Sequence, residues 1–160
     1  MKTAYCDSNF WLRLFVEFPE SENARAQVEN LKTGDEVRFA LTWLQRVEVT
    51  NAFSLLTFQA RSGRFPRVTP EQSAAALENF RELADGRSFV LNQPLSVSDL
   101  EPRCIALSER YTVKHGFRTY DLMNVSAALI LGCDSFLSFD RKATHLAALE
   151  GLKVLKLPDH

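Results

Sequence analysis

The sequence predicts a three-layer α/β/α domain built on a central, mainly parallel sheet of about five strands. Short apolar segments alternate with longer helix-like segments, a pattern that is typical of parallel sheets covered by helices on both faces. The chain has 160 residues, of which 46% are hydrophobic, so one sizeable core is expected. No repeat, low-complexity run or linker interrupts it, and we expect residues 1–160 to form a single domain.

The predicted strands are short, apolar and bounded by polar or turn residues. In chain order they are TAYC (3–6), VRFALT (37–42), SFVLN (88–92), SFLSF (135–139) and LKVLKL (152–157). Because helix-like segments separate them, we expect these strands to run parallel to one another.

The predicted helices fill the segments between the strands. They cover residues 8–17, 21–34, 43–63, 69–86 and 96–113, a segment that begins at Asp121, and residues 141–150. Thr69 and Pro70 suit the N-cap and the first position of a helix, and glycines at positions 34, 63, 86 and 151 suit helix ends. Pro102 is expected to kink or delay the helix that contains it.

Charge and composition exclude several classes of protein. Lys and Arg number 19 against 20 Asp and Glu, a net charge of −1, which argues against a uniformly basic nucleic-acid binder but leaves local patches open. The first apolar run contains Asp7 and lacks a cleavage site, so no signal peptide is expected, and no run approaches the ~18 apolar residues of a membrane span. Cys6, Cys104 and Cys133 lie far apart in apolar runs, and the three histidines lack zinc-site spacing. We expect a soluble cytoplasmic protein with reduced thiols.

Three aspartates are predicted to meet at one edge of the sheet. Asp7 directly follows the first strand, and Asp140 directly follows SFLSF. Asp121 begins the helix that leads into SFLSF, and such a helix starts at the carboxyl edge of a parallel sheet. Ligands bind at this edge in open α/β sheets, so the topology predicts an acidic site there.

Glu48 is predicted to join these acids for a different reason. At 100° per residue it lies on one face of the long helix among Leu44, Val47, Asn51 and Leu55. A carboxylate on an apolar stripe is costly unless it is paired or bound to a cation. Asn51, three residues further on, is positioned to orient it.

Simpler explanations exist for each acid taken singly. The three aspartates each precede a helix and suit N-caps, and Glu48 suits a snorkelling side chain or a pair with a distant Arg. Asp134 lies in the turn GCDS and is predicted to be a turn residue. Ser138 shares strand parity with Asp140 and therefore points the same way. The coincidence of four acids favours a shared site.

Three segments carry a resemblance to a known family. They are YCDSNFWLRLF, LQRVEVTNAF and RTYDLMNVSAALILGCDSFLSFDRKATHLAALEGLKVL. In this order they resemble the successive motifs of the PIN-domain family, which is typified by the toxin ribonucleases of VapBC toxin–antitoxin pairs. The resemblance implies a PIN-like fold whose four site acids are Asp7, Glu48, Asp121 and Asp140. The resemblance also covers Asn124, where many relatives carry His, and Ser138, where the family more often has Thr. Together with Asn9 and Asn51 they are the predicted supporting polar residues.

The resemblance also implies hydrolysis of RNA phosphodiester bonds with Mg²⁺ or Mn²⁺. Asp7, Asp121 and Asp140 would hold the metal, with Glu48 as a further ligand or as the base that orients water. Mg²⁺ prefers oxygen ligands, so an all-carboxylate set without Cys or His agrees with this reading. Four acids without a cation would repel one another and raise their pKa values.

Basic residues near Asp121 are predicted to contact RNA phosphates. Arg110, Lys114 and Arg118 are spaced by four residues, as on one face of a helix, and an ordinary solvated face is the simpler alternative. A second basic group consists of Arg61, Arg64 and Arg67, and the candidates for stacking on bases are Phe65, Phe117 and Tyr120.

Protein partners are implied mainly by the resemblance. It implies a small antitoxin and a homodimer that contact helices 43–62 and 70–85. The apolar residues there exceed what one sheet face is expected to need: Leu55, Leu56, Phe58, Leu77, Phe80 and Leu83. Two other functions are kept as alternatives, a non-catalytic PIN-like scaffold for RNA or protein and a Mg²⁺-binding phospho-acceptor domain. A phospho-acceptor domain usually has paired acids after its first strand, whereas Ser8 and Asn9 follow Asp7 here.

Overall fold

The computed structural model describes residues 2–32, 37–64, 68–86 and 89–154, which form one sheet with helices on both faces. Its strands are β1 (Lys2–Cys6), β2 (Val37–Leu41), β3 (Val90–Asn92), β4 (Ser135–Leu137) and β5 (Lys153–Val154). They lie in the order β3-β2-β1-β4-β5, and every neighbouring pair is parallel. The predicted three-layer α/β/α fold is therefore confirmed. Gly34 and residues 155–157 of the last predicted strand lie outside the described residues.

The helices agree with the sequence prediction to within a few residues at most ends. They are α1 (Ser8–Phe15), α2 (Ser21–Lys32), α3 (Trp43–Arg61), α4 (Pro70–Asp85), α5 (Val97–Leu107), α6 (Val113–His115), α7 (Thr119–Ile130) and α8 (Arg141–Leu149). A π-helical turn at 108–112 joins α5 to α6, and Gly116 ends α6 in the left-handed conformation, with φ of 66°. Pro102 does not delay its helix, because α5 already begins at Val97. Thr69 caps α4 as predicted, with Pro70 at the first helical position.

Strand β4 ends two residues earlier than predicted because the next backbone groups bond to side chains. The Phe139 N–H donates to Asn9 Oδ1 at 2.9 Å, and the Asp140 N–H donates to Ser138 Oγ at 2.9 Å. These groups are thus satisfied without a neighbouring strand. The chain beyond β4 is shaped by the polar residues at the sheet edge.

Alternate residues of β1 contribute to two apolar layers on opposite faces of the sheet. Ala4 and Cys6 pack with α1–α4, whereas Tyr5 packs with α5, α7 and α8, as the period of two in a strand requires. In the first layer the Trp11 ring meets the rings of Phe39 and Phe80 edge-on, at centroid distances of 5.7 and 5.6 Å. Both faces are covered, so the carboxyl edge is where polar groups of the central strands reach solvent.

The apolar surplus predicted on α3 and α4 is mostly core, which corrects the sequence interpretation. Leu56 and Phe80 are buried, and Leu77 and Leu83 pack against the core formed by α1–α4. α3 and α4 pack on each other as well as on the sheet, so they need more apolar residues than a single face would. Of the six predicted residues only Leu55 and Phe58 are exposed, together with Trp43 and Val47 on the same helix.

Two smaller predictions concern the cysteines and the turn before β4. Cys6, Cys104 and Cys133 are all free thiols. Asp134 accepts a hydrogen bond from the Thr3 N–H at 2.8 Å, so it links the start of β4 to β1, which fits its predicted role in the turn. Within the described ranges, no helix is long and apolar enough to cross a bilayer.

Candidate active site

A pocket of about 220 Å³ opens at the carboxyl edge of the sheet, beside the ends of β1 and β4. The residues that line it are Asp7, Ser8, Asn9, Glu48, Arg118, Tyr120, Asp121, Asn124, Asp140 and Ala143. All four predicted acids are among them, although they come from four separate segments of the chain. Glu48, which a separate argument predicted, lies in the same pocket as the three aspartates that the topology placed there.

Asp7 is held at the centre of this pocket by three hydrogen bonds. It caps α1, where its Oδ1 accepts from the Phe10 N–H at 3.0 Å. Its Oδ2 accepts from Ser138 Oγ at 2.5 Å and from Asn9 Nδ2 at 2.9 Å. One side chain thus caps the helix and also faces the pocket, because the two carboxylate oxygens serve different partners.

Burial is the main influence on the ionisation of Asp7. The residue is only 6% exposed, and burial raises the pKa of its carboxyl from 3.8 to about 7. The hydrogen bonds from Ser138 and Phe10 oppose this rise in pKa, whereas the nearby charges of Glu48 and Asp140 add to it. In these surroundings, a bound cation would stabilise the ionised form of the carboxyl group.

Asp121 and Asp140 are joined by the guanidinium of Arg118. Asp121 is 4% exposed, and its Oδ2 accepts from the Arg118 N–H at 2.8 Å. The Arg118 guanidinium bonds to Asp140 Oδ2 and lies 3.4 Å from both oxygens of Asp121. These bonds to carboxylates raise the pKa of Arg118, so the side chain is a permanent cation here. Asp140 also caps α8, where its Oδ1 accepts from the Lys142 N–H at 2.8 Å.

Glu48 reaches the pocket, but the apolar stripe used to predict it is wrong. Val47 and Leu55 are exposed, and α3 instead buries the face that carries Val49 and Phe53. Glu48 lies at the boundary between the two faces. Asn51 is exposed, and among the described residues no hydrogen bond joins it to Glu48, so its predicted orienting role is not seen.

The side chain that orients Glu48 is Asn124 of α7. Asn124 Nδ2 donates to Glu48 Oε2 at 2.9 Å, and the Tyr5 hydroxyl donates to Asn124 Oδ1 at 2.9 Å. Burial raises the pKa of Glu48, the bond from Asn124 opposes the rise, and the charge of Asp121 adds to it. Tyr5 was not predicted as a site residue. Its position two residues before Asp7, on the strand that leads into the site, is the signal that could have identified it.

Ser138 and Asn9 connect Asp7 to the backbone before Asp140. Ser138 Oγ donates to Asp7 and accepts from the Asp140 N–H, while Asn9 contacts both Asp7 and the Phe139 N–H. The predicted supporting residues Asn9, Asn124 and Ser138 thus contact the acids directly. They fix the carboxylates of Asp7 and Asp140 relative to each other.

Ser138→Ala should raise the pKa of Asp7 further in the metal-free protein. The rise should be roughly one pH unit, because a hydrogen bond to a charged group contributes about 1.5 kcal/mol. A ¹³C NMR pH titration of the aspartate carboxyl carbons measures it. Ser126→Ala is the control, since Ser126 is also buried but contacts Cys104. An unchanged titration midpoint for Asp7 in Ser138→Ala would contradict the arrangement.

The three predicted RNA-binding residues do not share one helix face, which corrects the sequence interpretation. The π-helical turn and the left-handed Gly116 interrupt the helix, so the spacing of four residues no longer superimposes the side chains. Arg110 pairs with Glu150 at 3.4 Å, Lys114 is exposed, and Arg118 lies in the acid pocket.

The predicted stacking and basic residues have different outcomes. Phe117 is buried against His115 and His145, so it is not available to stack on a base. Tyr120 is 60% exposed at the pocket rim. Arg61 and Arg64 are exposed at the end of α3, whereas Phe65 and Arg67 lie outside the described residues.

The donor set suits a hard divalent cation. Carboxylate and amide oxygens are the ligands of Mg²⁺ and Mn²⁺, and a buried carboxylate with a raised pKa gains from a positive charge. In the described part of the chain, however, no three Asp, Glu, His or Cys side chains are close enough together to hold a metal ion. The residue types therefore suit the metal. In this conformation, however, the Arg118 guanidinium lies between Asp121 and Asp140.

Parallel strands ordered 3-2-1-4-5, helices on both faces and acids at the carboxyl edge agree with the PIN-like fold that the motif resemblance implies. The sequence matches no protein-family model and no curated protein sequence. Solved structures do share the fold. One is VapC20 of Mycobacterium tuberculosis, described as a sarcin–ricin loop cleaving toxin, with a TM-score of 0.60, 14% identity and coverage of 93% of this chain and 95% of that one.

Two further structures have the same fold. FitAcB from Neisseria gonorrhoeae gives a TM-score of 0.57 at 13% identity, and VapBC-1 from nontypeable Haemophilus influenzae gives 0.55 at 17% identity. Each comparison covers 96% of both chains. The resemblance drawn from the motifs is thereby confirmed at the level of the fold: this chain folds like VapC-type toxins.

Proposed function

We propose that this chain is a divalent-metal-dependent endoribonuclease that hydrolyses RNA phosphodiester bonds, and that it is the toxin of a type II toxin–antitoxin pair. The observation that carries the proposal is the meeting of Asp7, Glu48, Asp121 and Asp140 in one pocket at the carboxyl edge of the sheet. The toxin-like fold supports the choice of RNA as the substrate and of an antitoxin as the partner.

The four acids and the polar side chains that hold them have tasks in the proposed reaction. Asp7, Asp121 and Asp140 would hold Mg²⁺ or Mn²⁺, which supplies an activated water and stabilises charge on the phosphate oxygens. Ser138 and Asn9 keep the carboxylate of Asp7 in one orientation.

Glu48 is the proposed acceptor of the proton from the attacking water. Its carboxylate is held by Asn124, which is itself held by the buried Tyr5 hydroxyl. Its pKa is raised above the ordinary range, and a base is most effective when its pKa approaches the working pH.

Cleavage of a labelled single-stranded RNA by the purified protein tests the function. We expect cleavage with Mg²⁺ or Mn²⁺ and none after EDTA treatment. Cleavage that persists in EDTA would refute the metal requirement. RNA binding without cleavage in either metal would favour the non-catalytic scaffold, and failure to bind or cut RNA would refute the function altogether.

Neutralising Arg110 and Lys114 together should weaken RNA binding and flatten its salt dependence. Each lost phosphate contact on single-stranded RNA removes about 0.7 from the slope of log K against log salt, so the double Ala variant should lose about 1.4. Fluorescence anisotropy in an Asp121→Asn background measures it without cleavage.

The matched control for this measurement removes two exposed arginines from α2 and α4, Arg25 and Arg81. Both lie on helices of the layer opposite the one that contains α7 and Asp121, so the control should keep the wild-type slope. If both double variants behave alike, Arg110 and Lys114 form an ordinary solvated face. RNA would then enter past Arg61 and Arg64 instead.

The proposed partners are a small antitoxin and a second copy of this chain, in the cytoplasm. Trp43, Val47, Leu55 and Phe58 give α3 an exposed apolar face beside the pocket, and such a face suits a protein contact. Light scattering should report a dimer that Val47→Asp with Leu55→Asp converts to a monomer.

Growth arrest on expression, relieved by the product of a neighbouring gene, tests the toxin assignment. A monomeric wild-type protein without effect on growth would refute both partners.

A further inference from the structure

Arg118 occupies a special position because its backbone and its side chain contact the same acid. It is the N-cap residue of α7, and its N–H donates to Asp121 Oδ2 at 2.8 Å. This bond fixes the start of the guanidinium-bearing side chain next to the acids. The side chain is nevertheless 63% exposed and lies across the pocket rather than within the core.

The guanidinium bridges two acids from different elements. It bonds to Asp140, which precedes α8, and lies 3.4 Å from Asp121 of α7. Among the described residues that line the pocket, Arg118 is the one cationic side chain, facing Asp7, Glu48, Asp121 and Asp140. Without it, Asp121 and Asp140 would repel each other in partly desolvated surroundings.

The same bridge engages oxygens that a metal would need. A Mg²⁺ ion requires its ligands at about 2.0–2.1 Å, and a carboxylate whose oxygens already face a guanidinium binds a second cation less strongly, because the two positive charges repel each other. Within the described ranges no three acidic side chains lie close enough together to hold a metal ion, although four acids line one pocket. The contacts with Asp121 are long and the side chain is exposed, so a divalent ion can compete with it.

We propose that Arg118 is a resident counter-cation of the acid pocket, which a divalent metal ion must displace from Asp121 and Asp140 in order to bind. The proposal rests on the proposed metal-dependent function. Arg118 stabilises the metal-free pocket and lowers its apparent affinity for metal. Once displaced, the guanidinium stays tethered at the pocket rim by the fixed start of α7.

Titration calorimetry with Mn²⁺ on the intact protein tests the displacement without RNA. Arg118→Ala should bind Mn²⁺ roughly 3- to 10-fold more tightly than the wild type, since a competing and repelling cation is removed. Arg81→Ala is the matched control: it removes the same charge from an arginine that pairs with Glu78 on α4 outside the pocket, and its Mn²⁺ affinity should stay near wild type. Arg118→Lys, which keeps the charge but loses the planar fork, should fall between the wild type and Arg118→Ala.

Thermal unfolding gives a second measurement that does not depend on catalysis. Metal-free Arg118→Ala should melt below the wild type, and saturating Mn²⁺ should close this gap. Equal or weaker Mn²⁺ binding by Arg118→Ala would overturn the proposal, as would the absence of Mn²⁺ binding to either protein. Tighter Mn²⁺ binding by a protein that never cleaves RNA would uphold the displacement and refute the nuclease function, so the two failures are distinguishable.

Discussion

Asp121→Asn should lower the rate of RNA cleavage by roughly 10³-fold or more, because a metal ligand stabilises the transition state by several kcal/mol. Asn keeps the size of the side chain and an oxygen that can accept from the Arg118 N–H, so the fold should survive. Initial rates at saturating Mn²⁺ measure the loss, and circular dichroism checks the fold. A variant with the wild-type rate would remove Asp121 from the site.

Asp134→Asn is the matched control for this experiment. Asp134 lies in the connection between α7 and β4, outside the pocket, and accepts a hydrogen bond from the Thr3 N–H. Asn can accept the same bond. Near-normal cleavage by this variant would show that the loss in Asp121→Asn comes from the pocket, whereas an equal loss would point to a general effect on the fold.

Asp7→Asn should raise the free energy of unfolding of the metal-free protein at pH 8 by up to about 4 kcal/mol. Burial raises the pKa of Asp7 from 3.8 to about 7, so the native state holds its proton more tightly than the unfolded chain. Between about pH 4 and pH 7 the unfolded chain therefore ionises first, and the stability of the wild type falls as pH rises. Above pH 7 the full penalty is present, and Asn avoids it.

Urea unfolding in EDTA at pH 4 and at pH 8 measures this difference. The gain from Asp7→Asn should be small at pH 4 and largest at pH 8. With saturating Mn²⁺ at pH 8 the wild type should instead be more stable than Asp7→Asn, because metal that binds only the native state stabilises the wild type. A gain that does not depend on pH would contradict the burial argument.

The positions of Asp7, Asp121 and Asp140 were predictable because they follow from topology alone. Parallel strands end at one edge, and the helix that feeds β4 starts at that edge, so few side-chain details were needed. The same reasoning gave the five-stranded sheet. The N-cap alternative for Asp7 and Asp140 did not compete with the site, since each carboxylate uses one oxygen for the cap and one for the pocket.

The contacts of Glu48 and Arg118 were not predictable, because they depend on how separate elements pack. Both faces of α3 carry apolar residues, so periodicity alone could not tell that Val49, not Val47, is buried. The spacing of Arg118 from Lys114 suggested a common helix face, but Gly116 turns the chain between them. The bond from Arg118 to Asp140 joins residues 22 positions apart, and only the tertiary structure reveals it.

The central position of β1 has a consequence for synthesis of the protein on the ribosome. β1 is made first, but its partner β4 lies far along the chain, since Ala4 pairs in register with Ser135. At about 5–20 residues per second, β1 waits on the order of ten seconds before β4 has been made. Asp7 cannot meet Asp140 during that time, because the strand that brings them together does not yet exist. The proposed nuclease would therefore stay inactive as a nascent chain until almost the whole domain has emerged from the ribosome.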